Sequence, residues 1–308
     1  MQKNTRHIRL RMEELPEESA RRYIRWMQTR KYSPQTQRAA FMALREFLVA
    51  WAARGQTLTD VSRDDLDAHH LALKDRGLAR STVFQQMASL RAFFNWLEAR
   101  GDVFANPAAG MVLPRPPRRI RYVPSEEDVR RLLAAPKTHT RGGLRDRAFM
   151  EVLYSTGARL GEIASISIFD VDLARGSLRL HYGKHRKQRT VPLGKKAVRW
   201  LEDYIRMRHR LLEGRPDIDA LWIGVRREPL GYQPAEKIVL RNSKAAGIRP
   251  FSSHALRRAC ATHMLCNGAH PMQLQMLLGH ASLKDLGQYL ELTVTELKKM
   301  HRRSKPGR

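Results

Sequence analysis

Between Ala105 and Arg121 the chain reads ANPAAGMVLPRPPRRIR, with four prolines and four arginines. No continuous helix can run through such a stretch, because each proline lacks an N–H and its ring clashes with the preceding turn. Residues 105–121 therefore read as a linker between residues 1–104 and residues 122–308. At 308 residues the chain is long enough for this, since one hydrophobic core usually serves about 100–200 residues.

Before the linker the apolar residues recur with helical period. Ser33-Pro34 forms an N-cap followed by proline at the first helical position, and behind it Leu44, Phe47, Leu48 and Trp51 make one stripe, closed by Gly55. Ser62 with Asp65 has the spacing of a capping box. Ser81 is expected to cap a further helix, on which Met87, Leu90, Phe94 and Leu97 share a face and which Gly101 closes. Aromatics at this spacing belong to a packed core rather than to a base-stacking surface. After the linker, Ser125-Glu126-Glu127-Asp128 opens a helix with acids at its positive end. Helical segments continue to Ile166. Ser177–Gly183 and Gln188–Leu193 then alternate as two short strands around the basic turn Lys184-His185-Arg186-Lys187, with Leu180 and Val191 among the apolar positions. Helices are expected at about 194–213, 233–246, 253–267, 270–278 and 293–303. The fold class is mainly α: a helical bundle, then a mixed domain of helices with one small antiparallel sheet.

Charge narrows the function. The chain carries 57 Lys and Arg against 30 Asp and Glu, a formal net charge of +27. The cations are spread among core-type residues, which describes a folded basic protein whose partner is a polyanion and whose affinity comes from phosphate neutralisation. A ribosomal or DNA-coating protein is the plain alternative. Arg115, Arg118, Arg119 and Arg121 suit a linker lying along a phosphate backbone; its bland reading is a solvated spacer. No run approaches the roughly 20 apolar residues that span a bilayer, and no apolar segment follows the basic N-terminus as in a secretory signal. The expected location is the cytoplasm. The two cysteines, Cys260 and Cys266, fit a reducing compartment. With His263 they match no common zinc spacing, so no metal site is assigned.

Four separated segments carry chemistry: Thr156-Gly157-Ala158-Arg159-Leu160-Gly161-Glu162; Gly183-Lys184; His254-Ala255-Leu256-Arg257; and Leu278-Gly279-His280, followed nine residues later by Tyr289. Single pieces are common; their order and spacing together resemble the phage integrase, or tyrosine recombinase, family over essentially the whole chain. The resemblance implies a SAM-like helical core-binding domain before the linker and a catalytic domain of the DNA breaking-rejoining fold after it. It implies a catalytic set of Arg159, Lys184, His254, Arg257, His280 and Tyr289.

Elementary chemistry asks for the same set. Attack on a phosphodiester builds charge on the non-bridging oxygens, which two guanidiniums hold through paired hydrogen bonds that a lysine cannot reproduce. His254 and Arg257, three apart, share a helix face near an N-terminus that Ser252 and Ser253 are expected to cap. His254 helps take the tyrosine proton, His280 donates to a phosphate oxygen, and Lys184 protonates the departing 5′ oxygen. Tyr289 forms a 3′-phosphotyrosine that a second DNA hydroxyl reverses. Glu162 orients one of the basic groups. Neither metal nor ATP is needed. His185, Arg186 and Lys187 add DNA contacts.

Some assignments stay open. Arg258 shares a face with His254 as Arg257 does, and Lys187 competes with Lys184 because hairpin register follows turn geometry. Leu290, Leu292, Val294, Leu297 and Met300 form an apolar strip that, in the family, docks into a neighbouring subunit; a homotetramer on two double-stranded DNA sites is the expectation. A type IB topoisomerase uses similar chemistry, and a non-catalytic DNA-binding protein of the same fold is the third reading.

Overall fold

The computed structural model describes residues 10–113, 121–181, 188–212 and 216–279. The chain divides into two compact units, Met1–Arg119 and Ile120–Arg308.

In the first unit the helices are α1 (Glu18–Thr29), α2 (Pro34–Ala52), α3 (Arg63–Asp75) and α4 (Arg80–Glu98). Both expected stripes face inward: Leu44, Phe47, Leu48 and Trp51 from α2, and Met87, Leu90, Phe94 and Leu97 from α4, are all buried. Each such side chain contributes about 1.5–3 kcal/mol of burial. Ser33 caps α2 by accepting from the Thr36 N–H at 3.1 Å. Ser62 and Asp65 form the reciprocal box at the start of α3. The expected cap at Ser81 is not formed: α4 begins at Arg80, with Ala79 at the capping position and no side-chain cap bond. The apolar stripe governs where this helix packs, and a serine one residue inside its start adds nothing to the register. The proline-rich stretch begins tied to this unit. Asn106 donates to Asn95 and Glu98, Arg91 donates to the Met111 carbonyl, and Ala108 and Met111 are buried in the bundle core.

The second unit contains α5 (Glu126–Ala134), α6 (Arg141–Thr156), α7 (Leu160–Ala164), the strands β1 (Val171–Asp172), β2 (Ser177–His181) and β3 (Gln188–Pro192), then α8 (Lys195–Leu212), α9 (Tyr232–Ala245), α10 (Ser253–Cys266) and α11 (Pro271–Leu278). The strands form an antiparallel sheet in the order β1-β2-β3. β1 is a two-residue strand that carries no alternation of its own to announce it. In the β2–β3 ladder Leu178 faces Val191 and Leu180 faces Arg189. Leu178, Leu180 and Val191 are fully buried, so the sheet turns one face to the core. Trp222 is buried at the centre of that core, edge-on to Phe149 and stacked on Tyr204. Its indole N–H donates to the Ile163 carbonyl at 2.9 Å and pins the end of α7. Among the described residues no helix is long and apolar enough to cross a membrane.

Candidate active site

The site begins where α6 stops. Gly157 adopts the left-handed conformation at φ 56 and donates to the Leu153 carbonyl, ending the helix. Thr156 turns its hydroxyl back to the Val152 carbonyl and accepts from the Ala158 N–H, which shapes the bend. A Cβ at Gly157 would lie 2.7 Å from Leu278 and 3.0 Å from the Cys260 sulfur. Glycine is needed here twice over, for its backbone and for its lack of side chain. The bend delivers Arg159 to the capping position of α7, with its side chain 44% exposed.

Glu162 holds this turn from beneath. Its carboxylate accepts the Arg159 N–H at 2.8 Å and lies 3.6 Å from the Arg159 guanidinium. It also receives both terminal nitrogens of Arg189, at 3.0 and 3.1 Å. Burial pushes the Glu162 carboxyl up. The Arg189 hydrogen bonds, the Arg159 N–H and the two guanidinium charges outweigh that, holding it below the usual carboxylate range.

Arg257, in α10, reaches the same corner. Its guanidinium donates to the Gly157 carbonyl at 2.6 Å and to the Leu278 carbonyl at 2.9 Å. Arg258 instead donates through Nε and Nη2 to the Tyr122 carbonyl at 3.2 and 3.0 Å. Of the two neighbouring arginines, 257 therefore joins the Arg159 turn. His254 stands in the first turn of α10, exposed. Partial desolvation of the ring lowers its pKa most, Glu236 works in the other direction, and the charges of Arg257, Arg258 and Arg121 lower it further. The net shift is downward, which favours the neutral, proton-accepting form of the ring.

The cap of α10 differs from expectation. Ser252 occupies the capping position without a side-chain bond, and Ser253 spends its hydroxyl and its N–H on Glu236 of α9. A carboxylate borrowed from another helix satisfies this positive end, which local sequence cannot reveal. Cys260 is buried in the core, its thiol pushed up to about 12 by burial; His263 is bonded to the Tyr154 hydroxyl at 2.9 Å.

Thus Arg159, Glu162, Arg257 and the start of α10 with His254 converge in the second unit, and Arg121 is near enough for its charge to act on His254. Lys184, His280 and Tyr289 lie outside the described residues, as do Arg115, Arg118, Arg119, His185, Arg186 and Lys187. β2 and β3 pair up to His181 and Gln188, on either side of the Lys184 segment. α11 ends at Gly279, left-handed at φ 64, immediately before position 280. Arg189 and Glu236 escaped the sequence reading. Arg189 had a signal: a cation two residues from Val191, on the inward side of an alternating strand.

Comparison with known proteins agrees with this architecture. Residues 123–296 match the Phage integrase family, and residues 20–101 match the family's N-terminal SAM-like domain. "Tyrosine recombinase XerC 2" of Ralstonia nicotianae is 36% identical over 291 residues, covering 90% of this chain and 82% of that protein. The crystal structure of XerH site-specific recombinase bound to palindromic difH substrate, a post-cleavage complex, superposes with a TM-score of 0.73 at 19% identity, covering 92% of this chain and 83% of that one. A lambda integrase tetramer bound to a Holliday junction gives 0.67 at 21% identity, covering 86% and 74%. At these identities the two structures show the shared fold.

Proposed function

The chain belongs to the phage integrase family and is a site-specific tyrosine recombinase; from that premise we propose which of its residues exchange DNA strands and how. Arg159 and Arg257 hold the non-bridging oxygens of the scissile phosphate and stabilise the charge that builds on them during attack. His254, in its neutral form, takes the proton of the Tyr289 hydroxyl. Tyr289 displaces the 5′ oxygen and becomes a 3′-phosphotyrosine, while Lys184 protonates the leaving oxygen. His280 donates to a phosphate oxygen, and Glu162 keeps the Arg159 turn in place. A 5′ hydroxyl from a second duplex then attacks the phosphotyrosine and releases the tyrosine, so phosphoester bonds are conserved and no ATP is consumed.

One observation supports this reading above the rest: the Arg257 guanidinium bonds to the Gly157 carbonyl, two residues before Arg159. Segments far apart in sequence thus bring two cations to one corner, beside a histidine able to act as a base. The net charge of +27 suits double-stranded DNA as substrate, and the basic residues 115, 118, 119, 121 and 185–187 are assigned to its backbone. Four copies on two DNA sites form the working assembly, a reading supported by the apolar strip from Leu290 to Met300 and by the lambda integrase tetramer of the same fold. A topoisomerase role is not favoured, since the relatives are recombinases.

The test uses a library of nicked duplexes of random sequence. Wild-type protein should give detergent-stable protein–DNA adducts whose sequencing reveals a recurrent site, and Tyr289→Phe should give none. Adducts that persist in Tyr289→Phe would move the nucleophile elsewhere, and their absence from the wild type would favour a binding protein of this fold.

A further inference from the structure

The inward face of the small sheet contains an anomaly. Leu178, Leu180 and Val191 line it, fully buried, and the fourth position of the ladder, opposite Leu180, is Arg189. Its side chain is 13% exposed. Burying a guanidinium is costly unless it is fully paired, and a well-packed apolar residue at such a position is often as stable or more so. Stability alone therefore does not call for an arginine.

Its partners say what does. Nη1 and Nη2 grip the Glu162 carboxylate end-on, while Nε donates to the Leu277 carbonyl at 3.0 Å and Nη2 reaches the Leu278 carbonyl at 3.4 Å. Glu162 in turn accepts the Arg159 N–H, and the Leu278 carbonyl is shared with Arg257. These carbonyls are the negative end of α11, where cations are favoured. They directly precede Gly279 and position 280. One planar fork thus touches two separate parts of the site from a strand that starts one residue after Lys187. Lysine, whose three donors all sit on one nitrogen, cannot reproduce a planar fork that makes all four of these bonds.

We propose that Arg189 is a positioning residue for strand cleavage: it locks the Glu162–Arg159 turn to the carboxyl end of α11, and so sets where the His280 and Tyr289 segment starts relative to the phosphate-holding arginines. The inference rests on the catalytic reading given above. Arg189 itself touches no DNA in this role. Its loss leaves phosphate affinity in place and displaces the reacting groups, a kind of error that costs about 100-fold in rate for roughly 1 Å.

The experiment measures single-turnover adduct formation on a nicked duplex carrying the recurrent site, together with DNA affinity and thermal unfolding, for wild type, Arg189→Lys, Arg189→Met and Arg189→Met combined with Glu162→Gln. Both single variants should bind DNA as the wild type does and form adduct about 10–100-fold more slowly. Arg189→Met should also gain an acid limb in its pH–rate profile. Without the fork, the buried Glu162 carboxyl rises above its native value and protonates as pH falls, loosening the Arg159 turn in a range where the wild type holds. Glu162→Gln in the same chain should erase that limb. A merely structural arginine would lower the melting temperature and leave the pH profile unchanged. If Arg189→Met does not fold, Arg189→Lys carries the rate test. Wild-type rate in a folded Arg189 variant, or the same pH profile in Arg189→Met, overturns the inference while the catalytic reading stands. A wild type without a Tyr289-dependent adduct overturns both.

Discussion

Gly157 shows how much of the site depends on one atom's absence. It ends α6 in a left-handed conformation, offers its carbonyl to Arg257, and leaves room for Leu278 and Cys260. Gly157→Ala should cost about 1–3 kcal/mol from the backbone alone, with the 2.7 Å approach to Leu278 adding to it. Calorimetry should show the second unit melting lower by about 2–4 °C per kcal/mol; an unchanged midpoint would refute the packing described. The motif around this glycine was legible in the sequence, and the structure explains its composition. By contrast helical spacing alone left Arg257 and Arg258 equivalent, because positions three and four residues on from His254 both share its helix face, and only the family motif pointed to Arg257. The structure gives the two different partners, Gly157 and Leu278 for Arg257 and Tyr122 for Arg258.

At the level of elements, the helices of the first unit follow their local signals closely. Both apolar stripes and the caps at Ser33 and Ser62 appear where spacing put them. Ser62→Ala removes the acceptor for the Asp65 N–H and should cost about 0.5–2 kcal/mol. Hydrogen exchange should show the first turn of α3 losing protection while α9 and α10 keep theirs; equal protection would mean the box adds nothing. The Asp65 carboxyl is held low chiefly by its bonds to Ser62. Its contribution is therefore present above its unfolded pKa and disappears as pH falls through the lower, folded one. Two helix starts were illegible: α4 begins without a side-chain cap, and α10 takes its cap from Glu236 of α9. Strand alternation foretold β2 and β3, and the same alternation makes Arg189 conspicuous once the register is known.

On the scale of the whole molecule, each unit buries its own core, and the charge of +27 supplies affinity for DNA that no single residue controls. The proposed assembly rests on a different part of the chain, the apolar sequence positions Leu290, Leu292, Val294, Leu297 and Met300, which lie outside the described residues. Ending the protein after residue 291 should leave DNA binding intact and abolish strand exchange, read by electrophoretic shift and by recombinant product from two-site DNA. Full exchange by the shortened chain would show that the strip is not needed for assembly.

By itself, the sequence determined the helical character of both parts, the caps at Ser33 and Ser62, the paired strands β2 and β3 and the strongly basic charge. These follow from periodicity, backbone chemistry and charge, which are properties of neighbours along the chain. Tertiary structure alone decided that Glu162 would be gripped by Arg189, that Arg257 and Arg189 would share the end of α11, and that Glu236 would complete α10. Those pairings join residues far apart in sequence through buried hydrogen bonds. Such bonds are set by how a sheet face and four helix ends meet in space, and no repeat or spacing in one dimension encodes that meeting.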